Sequence, residues 1–235
     1  MHDDLAPHYD AMYDDLYGDA FHAATDALLR LLRGLCAPPA RVLDVGAGTG
    51  RIALPLAALG YAVTAVEPSR GMLECLAYKA RLEGGDISLR AGLLPAALLP
   101  QDQHFALALL AFGVLDYMVD EPNAVLALNA IRERCAPGGL CVVQPAPRKY
   151  MASTREEGRR FVREVVLHWD GDIAHLQHAV RKDGQTVADE QLAMRYRSPA
   201  NLETLFERSG WRVRAETSDG AYPTWVLGRV GDGLG

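Results

Sequence analysis

The chain has 235 residues, of which 49% are apolar and 23% charged, and its formal net charge is −6. That length carries one substantial core, or one core with a sizeable insertion, and the composition is that of an ordinary globular protein. The acidic balance argues against a broad nucleic-acid surface, and no apolar run reaches the roughly 18 residues of a membrane span.

Up to about Tyr17 the chain mixes acidic residues with Leu5, Tyr9, Met12, Tyr13, Leu16 and Tyr17, the spacing of a short amphipathic helix. An acidic start is the opposite of a signal peptide, and Cys36, Cys75, Cys135 and Cys141 show no C-x-x-C spacing. The expectation is a cytoplasmic protein with reduced cysteines and no metal. A second helix is predicted over Ala20–Leu35, before Pro38 and Pro39. Arg41–Val45 is a short apolar run ending in glycines and reads as a buried strand. Helices follow at Ile52–Ala58, Arg70–Arg81 and Asn123–Cys135, and strands at Ala62–Val66, Ile87–Arg90, Phe105–Leu110 and Leu140–Gln144. Strands alternating with helices in this way imply βαβ units and a parallel sheet covered on both faces.

After Pro147 the texture changes. A helix is predicted from near Thr154, followed by alternating runs at Val162–Trp169, Ile173–Val180 and Thr186–Tyr196. Asp170-Gly171-Asp172 and Lys182-Asp183-Gly184 separate these runs, and Asp-Gly between alternating runs signals a hairpin. The reading is a three-stranded antiparallel meander inserted into the α/β core. Ala200–Ser209 returns to helix, and Trp211–Thr217 and Thr224–Val230 make a closing pair of strands. The expected division is 1–147 for the first helices and α/β core, 148–198 for the inserted helix and meander, and 199–235 for the closing elements.

The informative segment is Val42-Leu43-Asp44-Val45-Gly46-Ala47-Gly48-Thr49-Gly50-Arg51. A buried strand runs into three glycines at alternate positions, and a helix follows. Glycine allows positive φ and lets a ligand approach the backbone with no Cβ in the way. Asp44, at the strand's end, can orient that turn or meet a positive ligand group through water. A dinucleotide site wants G-x-G-x-x-G, with its pyrophosphate on a helix N-terminus; here the last position of that pattern is Arg51. The second strand ends in Ala65-Val66-Glu67-Pro68-Ser69, where Glu67 can accept both hydroxyls of a ribose. The plain alternative is a tight strand–helix turn with Glu67 a solvated acid.

V-L-D-V-G-A-G-T-G at 42–50 resembles motif I of the class I S-adenosylmethionine-dependent methyltransferases, and A-V-E-P-S at 65–69 resembles their motif II. C-A-P-G-G-L-C-V-V at 135–143 is similar to the family's turn before its fifth strand. The resemblance covers roughly residues 40–145. It implies a Rossmann-like, doubly wound, seven-stranded mostly parallel sheet, with the antiparallel meander as an insertion. It also implies S-adenosyl-L-methionine lying across the ends of the first, second and fourth strands. Carried over by position, Gly46, Ala47, Gly48 and Gly50 line the methionine moiety, Glu67 holds the ribose, Met72 packs near the adenine, and Asp44, Pro68 and Phe112 complete the cofactor-binding set. Two positions depart from the family. Gly92-Leu93-Leu94 replaces Gly-Asp, which leaves adenine to backbone and apolar contacts at Leu93 and Leu94; Phe105-Ala106 replaces Phe-Asp. Tyr9-Asp10-x-x-Tyr13, the stretch from Phe112 to Tyr117, and the insertion resemble small-molecule N-methyltransferases of the sugar-amine type.

The implied reaction is transfer of a methyl group to a nitrogen, or an oxygen, of a small metabolite by in-line displacement, in which alignment and exclusion of water do most of the work. RNA or protein methylation, and a non-catalytic cofactor-binding module, are the competing readings. Tyr9, Tyr13 and Tyr17 can close over the sulfonium, or merely dock the helix. Phe112, Asp116 and Tyr117 follow the fourth strand at the ligand-binding edge. Asp116 either orients an amine or caps the following helix. His168, His175 and His178 lie in the meander, as substrate-side groups or as solvated strand residues. The basic run Arg148, Lys149, Arg155, Arg159, Arg160 and Arg163 could meet a phosphate or carboxylate on the substrate, but with Glu156, Glu157 and Glu164 interleaved it reads better as a salt-bridged helix face. The exposed edges of the meander suggest a homodimer.

Overall fold

A computed structural model describes residues 2–97, 99, 104–217 and 222–231. Seven strands form the main sheet: β1 (Arg41–Val45), β2 (Ala62–Glu67), β3 (Ile87–Ala91), β4 (Phe105–Leu110), β5 (Cys135–Val143), β10 (Trp211–Thr217) and β11 (Thr224–Arg229). Their order is β10-β11-β5-β4-β1-β2-β3, with only β11 antiparallel to its neighbours. The order reverses between β1 and β4, so the crevice at the carboxyl ends of these two strands is where an open α/β sheet binds ligands. Phe105, Leu107, Ala108, Leu109 and Leu110 on β4 are fully buried, as a strand with helices on both faces requires.

The helices α2 (Ala53–Ala58), α3 (Arg70–Glu83), α4 (Glu121–Arg134) and α5 (Pro199–Arg208) cover the sheet. Three carry side-chain caps. Ser69, Asp120 and Ser198 each accept the backbone N–H three residues on, which satisfies a donor that the first helical turn leaves free. Asp120 therefore caps α4, and Asp116 does not. Trp211, Trp225 and Phe206 bury the closing strands and α5 in the same apolar core as β4 and β5.

The two opening helices lie either side of Gly18 in one run, α1 (Tyr9–Leu35), kinked where Gly18 takes a φ of 44° and a ψ of −119° that only glycine adopts readily. One expectation is corrected: no helix begins near Thr154. Thr154–Glu157 is a strand, β6, beside β7 (Phe161–Asp170), β8 (Ile173–Lys182) and β9 (Gln185–Arg195) in a four-stranded antiparallel sheet. The interleaved charges lie on facing strands: Arg155 pairs with Glu164, and Arg163 with Glu156. Arg148–Tyr150 makes a single 3-10 turn.

The first half of α1 lies against this second sheet. Leu5, Met12, Phe161, Val180 and Ala188 form their own apolar cluster, with Tyr9, Tyr13 and Leu16 packed on it. Asp15 accepts the backbone N–H groups of Arg160 and Phe161 at 2.9 and 3.0 Å. Asp10 accepts from Thr49 at 2.5 Å and Lys79 at 2.7 Å. Two carboxylates of one helix thus tie the second sheet to the glycine turn. Among the described residues no helix is long and apolar enough to cross a membrane.

Candidate active site

The glycine turn is strapped to β2. The Val66 carbonyl accepts from Gly46 N at 2.8 Å and Ala47 N at 3.1 Å. The three glycines do different jobs. A Cβ at Gly46 would stand 2.5 Å from Val114, and one at Gly50 would meet Leu54 at 2.9 Å, so close packing requires both. At Gly48, with φ of 55°, a Cβ would meet nothing within 4 Å. Only there does the turn leave open space beside its backbone.

Glu67, 6% exposed, ends β2 facing this turn. One carboxylate oxygen accepts from Gly48 N at 2.8 Å, the other from Ser69 N at 2.8 Å. Burial raises its pKa, against which those two backbone donors work. Asp44 is 3% exposed; burial first, and the charge of Glu67 second, push it up to about 7. Its Oδ2 is buried with no partner. Two buried carboxylates beside open space, one with an unused acceptor, form a corner suited to a ligand with a cationic head and a hydroxylated sugar. S-adenosylmethionine fits: Asp44 and the Gly48 backbone for the sulfonium amino acid, Glu67 for the ribose.

Around the corner, Pro68 is half-buried, Met72 lies buried in the first turn of α3, and Leu94 is buried in the core. Leu93 is 59% exposed, so Leu94 alone of the pair is packed. Phe112 has a φ of 55°, at the end of β4. Its ring carries the Arg51 guanidinium at 3.7 Å, with Phe21 on the other side at 3.8 Å. Arg51 also donates to Thr25 Oγ1 and the Phe21 carbonyl, which pins α1 beyond its kink to the glycine turn.

Opposite stands a cluster of phenols. Tyr9, Tyr13 and Tyr17 form a stack with ring centroids 4.7 and 5.5 Å apart, and Tyr13 continues it to Phe21. Tyr117 and Tyr222 lie within electrostatic reach of Tyr13. Burial raises Tyr9, Tyr117 and Tyr222, and lifts Tyr17 to about 12, so all four stay neutral donors at physiological pH. The structure therefore brings Tyr9, Tyr13 and Tyr117 together with the turn. Asp116 is 1% exposed and sits behind this cluster. It accepts from Ala146 N at 2.7 Å, and burial raises it to about 7.

Of the meander histidines, His168 and His175 are exposed and His178 is buried. The sequence reading missed Glu190, Tyr222 and His2, and gave Arg51 and Arg163 other roles. Arg163 donates to His178 Nε2 at 3.1 Å and lies 3.4 Å from the Tyr17 hydroxyl. Only chain folding joins these residues, and no local motif marks them.

Residues 42–139 match the methyltransferase-domain family. The fold is shared over 97% of both chains with the CcbJ methyltransferase of Streptomyces caelestis, at a TM-score of 0.83 and 25% identity. Curated relatives include a ubiquinone biosynthesis O-methyltransferase of Methylocella silvestris, 35% identical over 43% of this chain and 37% of that protein. A demethylmenaquinone methyltransferase of Renibacterium salmoninarum is 36% identical over 61% of this chain and 56% of that one. The chain thus spans little more than half, at most, of the length of these curated relatives. With motif, sheet order and corner chemistry in agreement, residues 42–139 are similar to the methyltransferase domain, and the corner fits S-adenosylmethionine as its cofactor.

Proposed function

We propose that this protein transfers a methyl group from S-adenosylmethionine to a nitrogen of a small metabolite. The observation that carries the reading is the pairing of Gly48 N with Glu67 at 2.8 Å beneath a roof of neutral phenols. When bound, the cofactor supplies an electrophilic methyl on a sulfonium. The chain's own residues do the rest. Asp44 and the open face of Gly48 receive the amino acid end, and Glu67 receives the ribose. Leu94, Pro68 and Met72 border the base. Tyr9, Tyr13 and Tyr117 exclude water, and their ring faces and oxygens favour the positive charge that passes from sulfur to the acceptor. Alignment alone is worth on the order of 7–11 kcal/mol in such displacements.

Oxygen is the second reading, favoured by the likeness to the Methylocella O-methyltransferase. A small acceptor fits the setting better than RNA or a protein, because α1 and the second sheet cover the corner. Pairing of two chains through the exposed edge of that sheet belongs to the same reading, and light scattering reports it. The test is incubation with methyl-labelled S-adenosylmethionine and three acceptor pools: amino sugars, phenols with quinols, and total RNA. Label in the amino sugars is expected. Cofactor binding without turnover in any pool would favour a non-catalytic module, and label in RNA would overturn the small-molecule reading.

A further inference from the structure

The acceptor side of the site holds three linked groups that the account above leaves unused. His2 Nδ1 donates to Glu190 Oε2 at 2.7 Å. The other ring nitrogen, Nε2, faces the Tyr117 hydroxyl at 3.5 Å, with the rings edge-on and their centroids 6.0 Å apart. His178 Nδ1 lies 3.5 Å from the same oxygen, close enough for an ion pair but without hydrogen-bond alignment. Arg163 fixes that imidazole's tautomer. Its Nε–H donates to His178 Nε2 at 3.1 Å, so the proton of His178 sits on Nδ1, on the Glu190 side of the ring. Burial alone would raise the Glu190 carboxyl; contacts with His178 and His2 outweigh it and hold the group well below the usual carboxylate range.

The same residues also have the spacing of a metal site, since one ring nitrogen each of His2 and His178 and a Glu190 oxygen lie within 4.8 Å of one another. Ligation would need a lone pair on His178 Nδ1, which moves its proton to Nε2 and sets N–H against N–H at Arg163. The hydrogen bonding favours a proton path.

We propose that Glu190 and His2 are positioning residues that make Tyr117 a proton shuttle for the methyl acceptor. This rests on the methyl-transfer reading. An acceptor ammonium, or a hydroxyl, gives its proton to Tyr117 Oη as Tyr117 gives its own to His2 Nε2. One acceptor N–H or O–H bond breaks, one N–H bond forms on His2, and Tyr117 ends neutral, as its burial demands. The imidazolium is balanced by Glu190. The freed lone pair then forms the bond to the methyl carbon as the carbon–sulfur bond breaks and its electron pair stays on sulfur. His2, with a side chain 17% exposed, returns the proton to water. The 3.5 Å contact is of the length that tightens when substrate is present. The charged and titratable groups facing His2 are Glu190 on β9, His178 on β8, Tyr117 after β4, Glu67 on β2 and, through His178, Arg163 on β7.

The test is nitrogen NMR of the intact, histidine-labelled chain loaded with S-adenosylhomocysteine. His2 is expected as the Nδ1–H tautomer, with an Nδ1 resonance that moves in Glu190→Gln. Its Nε2 resonance is expected to move in Tyr117→Phe. An Nε2–H tautomer, or an Nδ1 resonance indifferent to Glu190→Gln, would overturn the proposal; so would tight binding of zinc chloride through both histidines. Calorimetry with S-adenosylhomocysteine on the parent reports separately on the methyl-transfer reading, since failure there leaves the tautomer measurement intact.

Discussion

Loading of the cofactor should expel a proton from Asp44. Its carboxyl sits at about 7 because it is 3% exposed and shares the corner with Glu67. At pH 6 such a group is about nine-tenths protonated. A cationic ammonium placed against it returns it towards the ordinary value near 3.9, so about 0.9 proton leaves per cofactor bound at pH 6, and about 0.1 at pH 8. Calorimetry in two buffers of different ionisation enthalpy measures that number directly. Glu67 is raised as well and adds in the same direction; Asp116, at about 7, is tied to Ala146 behind the site. Asp44→Asn isolates the effect and should remove most of the release. The same shift fixes the sign of the cofactor-free protein's pH dependence. A carboxyl raised on folding stabilises the fold while protonated, so stability is full below about pH 4 and falls as pH rises towards 7, by at most on the order of 4 kcal/mol. Release absent in the parent at pH 6, or undiminished in Asp44→Asn, refutes the placement of the cationic end.

The glycines separate two kinds of damage. Gly48→Val should abolish cofactor binding in a chain that still gives the parent's circular dichroism, because its side chain enters the open space. Gly46→Ala should lower Tm without any cofactor present, since its Cβ meets Val114 at 2.5 Å and overpacking costs about 1–3 kcal/mol. Glu67→Ala should weaken cofactor binding by about 1.5–3 kcal/mol, read by titration calorimetry, and parent-like affinity there would remove the ribose contact from the reading.

Much of the main sheet is legible because its signals are local. A five-residue buried strand, a glycine turn and a second strand ending in an acid need no knowledge of the rest of the chain, and β1, β2 and Glu67 fall where that pattern puts them. The errors arise where local and tertiary forces compete. Thr154–Glu157 has no apolar alternation; it is a strand because Arg155 and Glu164, and Glu156 and Arg163, face each other across β6 and β7. The same charges at the same spacings suit a helix face, and only pairing with β7 decides between them. At Gly18 local and tertiary signals agree: the backbone breaks between the two opening helices, and the second continues the first because Tyr13 stacks on Phe21 across the kink and Arg51 holds Phe21 from the glycine turn.

The two halves of the site differ for the same reason. The cofactor half comes from one βαβ unit, with Gly48 and Glu67 nineteen residues apart in sequence. The acceptor half joins His2 to Glu190 across 188 residues and Tyr117 to His2 across 115. Such contacts depend on the first two turns of α1 being held on two sides, by Asp10 to the turn and by Asp15 to the start of β7. Closing so long a loop costs entropy that grows only slowly with its length, so a family can change what its roof presents without disturbing the cofactor corner below. A motif therefore announces the cofactor, while the acceptor is written in which side chains a second sheet lowers onto the phenols. Exchange of Glu190 and His178 should accordingly alter acceptor turnover and leave S-adenosylhomocysteine affinity near the parent's, whereas loss of the Asp10 and Asp15 anchors should damage both.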